Sequence, residues 1–308
     1  MGGFERLVGQ PQVVELLGQA MARDRLAPAY LFAGAAGVGR SLAAACFLQL
    51  LLGEDNDRRI VQRNHPDLLW VEPTYLDKGK RLTAAEASES GLKKRAAPIV
   101  RLEQVREISQ FLSRPPLVAA RSVVVIEAAE SMPEAAANAL LKTLEEPGQA
   151  TIILLAPNVE SLLPTLVSRC QRIPFYRLGL AEMTQVLQSA GHGDILSQPQ
   201  VLALAQGSPG AAIEHAQRLA TIPEELLQGL ASLPPTLRQA MAMAKLVTKS
   251  LDSEAQIWLL DYLQQIYWQS GQVSTEVLQQ LEQAKQQLRA YVQPQLVWEV
   301  MLMGAIGS

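Results

Sequence analysis

The run Gly34-Ala35-Ala36-Gly37-Val38-Gly39-Arg40-Ser41 limits what this chain can fold into more than any other stretch. It follows the short apolar segment 30–33, which reads as a buried strand, and precedes 42–52, which reads as a helix stopped by Gly53. A glycine-rich turn between strand and helix is how a phosphate-binding loop is built. The glycines let backbone N–H groups converge on a phosphate, and the helix N-terminus adds a favourable dipole. A lysine reaches the β/γ oxygens while Ser or Thr meets Mg²⁺. Gly34, Gly37, Gly39 and Ser41 supply that frame, but Arg40 stands in the lysine position. A wide planar guanidinium does not enter the tight loop as a compact ammonium does. The spacing predicts a nucleotide-binding fold with a degenerate site at Gly34, Gly37, Gly39, Arg40 and Ser41, completed by Glu127. Such a site requires no cofactor and holds ATP or ADP at most weakly. A turn of this kind is also stable with no ligand at all.

A second buried strand is expected at 122–126, ending on Glu127-Ala128. In an active phosphate-loop ATPase an Asp at this point holds Mg²⁺, and an adjacent carboxylate polarises the attacking water. Here the first position carries an extra methylene and the second a methyl group, which cannot orient water. Hydrolysis by this chain alone is therefore not expected. A third strand-like run, 151–155, leads through Ala156-Pro157-Asn158 to a short helix at 162–167. Ser168-Arg169-Cys170 follows, before an extended piece at 173–176. An arginine projected from such an edge can supply charge to phosphates held by an adjoining protomer. Read from its spacing alone, it is first a solvated or salt-bridged surface arginine.

The segment Ala135-Ala136-Ala137-Asn138-Ala139-Leu140-Leu141-Lys142-Thr143-Leu144-Glu145-Glu146-Pro147, with Ser168-Arg169-Cys170 after it, resembles the signature of the bacterial clamp-loader branch of the AAA+ proteins. Phe4 to Gln10, His65-Pro66-Asp67 and Gly207-Ser208-Pro209-Gly210 fit the same family, and motif support covers roughly 1–215. The resemblance implies an α/β AAA+ phosphate-loop domain with a parallel sheet flanked by helices at 1–178, a helical lid at 179–221 and an all-α collar at 222–308. It implies that Arg169 acts in trans on the ATP site of a neighbouring subunit. The implied partners are gamma/tau-like ATPases and a delta-like subunit in a heteropentamer, with a sliding clamp and primed DNA reached through the complex. Arg40, Ala128, Ala156 and Gly210 each depart from what a hydrolysing member carries. A non-hydrolysing scaffold accommodates all four; the alternative is an autonomous ATP-hydrolysing subunit of the same loader. Relatives with a zinc module carry four cysteines before the His-Pro-Asp run; 53–64 has none, so no metal and no zinc are expected.

Apart from these motifs, small alanines and leucines at helical spacing put Ala135, Ala139, Leu140, Thr143 and Leu144 on a packing face, leaving Asn138 and Lys142 for a neighbour. The stretch 78–97 groups Lys78, Lys80, Arg81, Lys93, Lys94 and Arg95 with little apolar periodicity and reads as an exposed, partly disordered insertion. Segment 99–108 reads as a strand leading into an amphipathic helix. His65, His192 and His215 are scattered singly, as surface or capping residues are. From 223 onward every apolar pattern has helical period, with Trp258, Tyr262, Tyr267 and Trp268 expected in the packing. A net charge of −3 gives no global footprint for autonomous DNA binding. Two cysteines and no apolar run of about 20 residues predict a cytoplasmic protein without a membrane span.

Overall fold

Val123, Val124, Val125 and Ile126 are all buried, as are all seven residues of 150–156. Near-continuous apolar strands of this kind need cover on both faces, the situation of a parallel sheet between helical layers. A computed structural model describes residues 2–53, 57–92, 97–231, 233–271 and 274–306. Its strands are β1 (Ala29–Ala33), β2 (Leu68–Val71), β3 (Tyr75–Asp77), β4 (Lys80–Leu82), β5 (Ser122–Ile126), β6 (Ala150–Ala156) and β7 (Gln171–Pro174). Five of them form one sheet in the order β2-β5-β6-β1-β7, every described pairing parallel.

The chain divides into two compact units, 1–186 and 187–308. In the first, side chains alternate between the two faces of the sheet as the strand period of two requires. Tyr30, Phe32, Val123, Val125, Ile153 and Leu155 pack beneath α1 (Pro11–Ala22), α2 (Arg40–Leu52) and α3 (Asp57–Val61). Leu31, Val124, Ile126, Ile152 and Leu154 face the opposite layer, which follows α4 (Ala84–Glu89) in the chain and comprises α5 (Leu102–Leu112), α6 (Glu134–Glu145) and α7 (Pro164–Val167). Strand β1 lies between β6 and β7, yet its crossover through α2 runs to β2 at the far edge. The chain direction across the sheet therefore reverses at β1, and the carboxyl end of such a strand is where open α/β sheets bind ligands.

Helix α8 (Leu180–Ser189) spans the boundary between the units. Beyond it the second unit is helical throughout: α9 (Pro199–Ala205), α10 (Pro209–Thr221), α11 (Glu224–Ala231), α12 (Leu237–Ser250), α13 (Ser253–Ser270), α14 (Thr275–Arg289) and α15 (Pro294–Gly304). Trp258, Tyr262 and Tyr267 are buried with Trp298 in its core. Buried Lys285 of α14 donates to Asp261 and Gln264 of α13, at 2.8 Å each. The glutamine-rich helices thus keep a polar face, one member of which receives a buried cation.

Four expectations are corrected. Trp268 is 71% exposed, because the end of α13 leaves its ring outside the core. The buried face of α6 consists of Ala136, Ala137, Leu140 and Leu144; Ala135 is exposed and Thr143 half-buried. Which face turns inward is set by where α6 packs, in one core with Val105 and Ile108 of α5 and Val124 of β5. The described part of 78–97 is ordered, as a β3–β4 hairpin turning at Lys78-Gly79 with positive φ and as α4, which Thr83 and Glu86 cap reciprocally. Lys93, Lys94 and Arg95 lie outside the described residues. Finally, Ile99 forms a single bridge to Thr74 instead of a strand before α5.

Candidate functional site

At the end of β1 the backbone turns through residues 34–39 into α2. Gly37 and Gly39 adopt φ of 76° and 105°, a conformation that glycine reaches without steric cost. Gly34 is required for a different reason: a Cβ there would lie 2.6 Å from the Phe175 carbonyl oxygen just beyond β7. The loop is braced by a residue whose role the sequence did not reveal. Buried Gln10 donates through Nε2 to the carbonyls of Val38 at 3.2 Å and Tyr176 at 2.7 Å, and its Oε1 accepts from the Tyr176 N–H at 3.1 Å. Its place in the opening motif was the available signal.

Arg40 is the first residue of α2, and Ser41 beside it is exposed. The Nη1 of Arg40 is buried and has no hydrogen-bond partner among the described residues. Burial pushes this guanidinium below the usual arginine range, while Glu130 and Glu127 oppose that shift by their charge; it remains a cation. The loop therefore carries an inward-turned positive group that its own chain has not satisfied.

Glu127 follows β5 and is occupied by its own chain. Its Oε1 accepts from Trp70 Nε1 at 3.0 Å and from Arg63 Nη2 at 3.2 Å. Arg63 also pairs with Glu72 and lies over the Trp70 ring, 4.4 Å from its centroid. The cluster ties the segment after α3 to β2 and the tip of β5. Sequence reasoning missed Arg63 and Trp70 because the partners are 64 and 57 positions from Glu127. Ala128, next in the chain, sits in the left-handed region at φ 44°. With one carboxylate shared by a cation and an indole, and a methyl group beside it, the donor set does not suit a magnesium ion, which asks for oxygen ligands in octahedral geometry. Among the described residues no group of three or more His, Cys, Asp or Glu could hold a metal.

The His-Pro-Asp run has a structural explanation. Asp67 is buried and accepts three backbone N–H groups, from Leu117 at 2.6 Å, Val118 at 2.8 Å and Ala119 at 2.7 Å. His65 accepts the Asp67 N–H at its Nδ1, 3.0 Å, and is 2% exposed; of the surface and capping roles expected, it takes the capping one, from a buried position. Asn158 accepts the Ser161 N–H in a local turn, and Ser208 caps α10 by accepting from Ala211.

Arg169 follows α7 and is exposed. Its Nη2 donates to Glu145 Oε1 at 2.7 Å and its Nη1 to the Thr165 carbonyl at 3.0 Å. Its contacts belong to α6 and α7 and involve none of the loop residues. The Cys170 thiol beside it is pushed up to about 11 by burial, so it carries no thiolate at neutral pH.

Residues 9–179 match the family described as DNA polymerase III, delta subunit, and residues 181–305 the cyanobacterial DNA polymerase III delta prime C-terminal domain. The DNA polymerase III subunit delta′ of Bacillus subtilis is 33% identical over 180 residues, 55% of this chain and 48% of that one. That of Pseudomonas aeruginosa is 32% identical over 249 residues, 75% of this chain and 68% of that one. The matched region thus spans about half the length of the first relative and two thirds of the second. A gamma subunit-related protein from Thermotoga maritima shares the fold with a TM-score of 0.52 at 17% identity, covering 94% of this chain and 98% of that one. No helix among the described residues is long and apolar enough to cross a membrane.

Proposed function

The chain belongs to the DNA polymerase III delta-prime family, and on that premise we propose that it serves a clamp loader as a subunit that does not hydrolyse ATP but completes a neighbour's ATP site. The observation that carries the reading is the state of Glu127. The carboxylate standing where a metal-holding acid is needed accepts from Arg63 and Trp70, and Ala128 follows it. No metal-dependent step is assigned to this chain.

The loop retains what a phosphate needs from a backbone: left-handed glycines, a helix N-terminus and an unsatisfied Arg40 Nη1. It supports weak holding of ATP or ADP without turnover. Arg169 has the opposite character, an exposed guanidinium between α7 and β7. A cation delivered from outside to a transferring phosphoryl group stabilises charge that develops only in the transition state. The partners on this reading are gamma/tau-like ATPases and a delta-like subunit in a cytoplasmic heteropentamer, through which the chain reaches a sliding clamp and primed DNA.

The test is ATP turnover. The isolated chain should show none, and Arg169→Ala should lower turnover only in the reconstituted complex. Steady hydrolysis by the isolated chain that Ser41→Ala abolishes would refute the proposal in favour of an autonomous ATPase.

A further inference from the structure

Glu145 occupies a position that local energetics disfavour. It is the last residue of α6 and is followed by Glu146, so two carboxylates stand at the negative end of a helix dipole. Its structural partner is Arg169, on a different element. We infer that Glu145 is a positioning residue for Arg169, holding the guanidinium in one pose ready for the neighbour's phosphate. This rests on the reading of Arg169 as a residue acting in trans.

The geometry fixes the guanidinium at two corners. Nη2 is tied to the Glu145 carboxylate on α6, and Nη1 to the Thr165 carbonyl on α7. The backbone is held as well, since the Arg169 N–H donates to the Leu166 carbonyl at 3.1 Å. An arginine offers five N–H donors in a rigid fork. Two are used, and the other three have no partner among the described residues. With the side chain 37% exposed, a free edge faces solvent while the anchored corners set its direction. An untethered arginine spreads over many rotamers, so anchoring raises the share of time spent in the competent pose. Because both partners are well exposed, the effect is bounded: such pairs couple by at most roughly a factor of five.

The test is a double-mutant cycle in the full complex, with wild type, Glu145→Gln, Arg169→Ala and the double variant assayed for ATP turnover. Glu145→Gln should lower kcat about threefold with KM for ATP unchanged, the expected size for losing an exposed anchor. In the Arg169→Ala background it should have no further effect. Melting of Glu145→Gln should not fall, because the change removes a charge the helix dipole disfavours, and Glu145→Asp should recover part of the rate. If Arg169→Ala is impaired while Glu145→Gln matches wild type or exceeds it, the positioning role alone is overturned. An equal loss with and without Arg169 overturns it too, since Glu145 would then act elsewhere. If Arg169→Ala itself is unimpaired, the trans reading fails first.

Discussion

Replacing Asp67 tests how the loop before β5 is held. Its two oxygens take three backbone N–H groups of 117–119 at 2.6–2.8 Å. Asp67→Asn keeps the shape but turns one oxygen into an NH₂ group facing a donor. In its better orientation the amide retains the two bonds made by Oδ2, now to a neutral acceptor, and loses the third. A bond to a charged acceptor is worth about 1.5–3 kcal/mol, and the low end applies because Leu117 and Val118 are exposed and their freed amides regain water. Asp67→Asn should therefore cost about 2 kcal/mol, and Asp67→Ala, which loses all three, about 4 kcal/mol. In a unit of 186 residues the smaller loss lowers Tm by about 4–8 °C, measurable by calorimetry or near-ultraviolet circular dichroism. The carboxyl also has a pH signature. Burial would raise its pKa, but the Ala119, Leu117 and Val118 N–H groups and His65 outweigh that and lower it. A depressed carboxylate stabilises the fold above the unfolded value of about 3.9 and loses that contribution as pH falls through the folded value. The acid limb of stability should accordingly be shallower in Asp67→Ala. A Tm for Asp67→Asn within about 1 °C of wild type would show that the loop does not depend on this carboxylate.

Arg40 and two histidines give two further outcomes. Arg40→Lys replaces the fork and its unpartnered Nη1 with a compact ammonium, and should tighten binding of a fluorescent ATP analogue by about tenfold, or ~1.4 kcal/mol; an unchanged Kd would refute the reading that Arg40 limits binding. His65 and His215 are lowered chiefly by burial, and each accepts an N–H at Nδ1, from Asp67 and from Trp258. Since the folded values lie below the unfolded ~6.5, the unfolded chain protonates first, so stability is full above that pH and falls below it. The urea midpoint should drop between about pH 7.5 and about pH 5.5, less so in His65→Asn, and a flat wild-type profile would refute this.

Much of the molecule was legible in the chain because its signals are local. Buried apolar runs fixed β1, β5 and β6, and the 34–41 spacing fixed the turn into α2 without reference to anything distant. Helical periodicity located the second unit, and its capping serines and threonines are adjacent in sequence to what they cap. Where phase or burial depended on a neighbour, the reading slipped. Packing against α5 and the sheet turned a different face of α6 inward, Trp268 fell outside the core, and His65 is buried while it accepts a backbone N–H.

What the sequence determined by itself was the list of chemical groups: a phosphate loop with arginine for lysine, an acid followed by alanine, and an arginine after the third strand. What only the tertiary structure decided was which of these groups are already spoken for. Glu127 is engaged by Arg63 and Trp70, Gln10 clips the loop to the chain beyond β7, and Arg169 is tethered yet open to solvent. Local spacing sets backbone conformation through sterics and nearest-neighbour hydrogen bonds, so it is written in the chain. Pairing between side chains tens to more than a hundred residues apart depends on sheet order and on where each helix lands, and no local pattern encodes it.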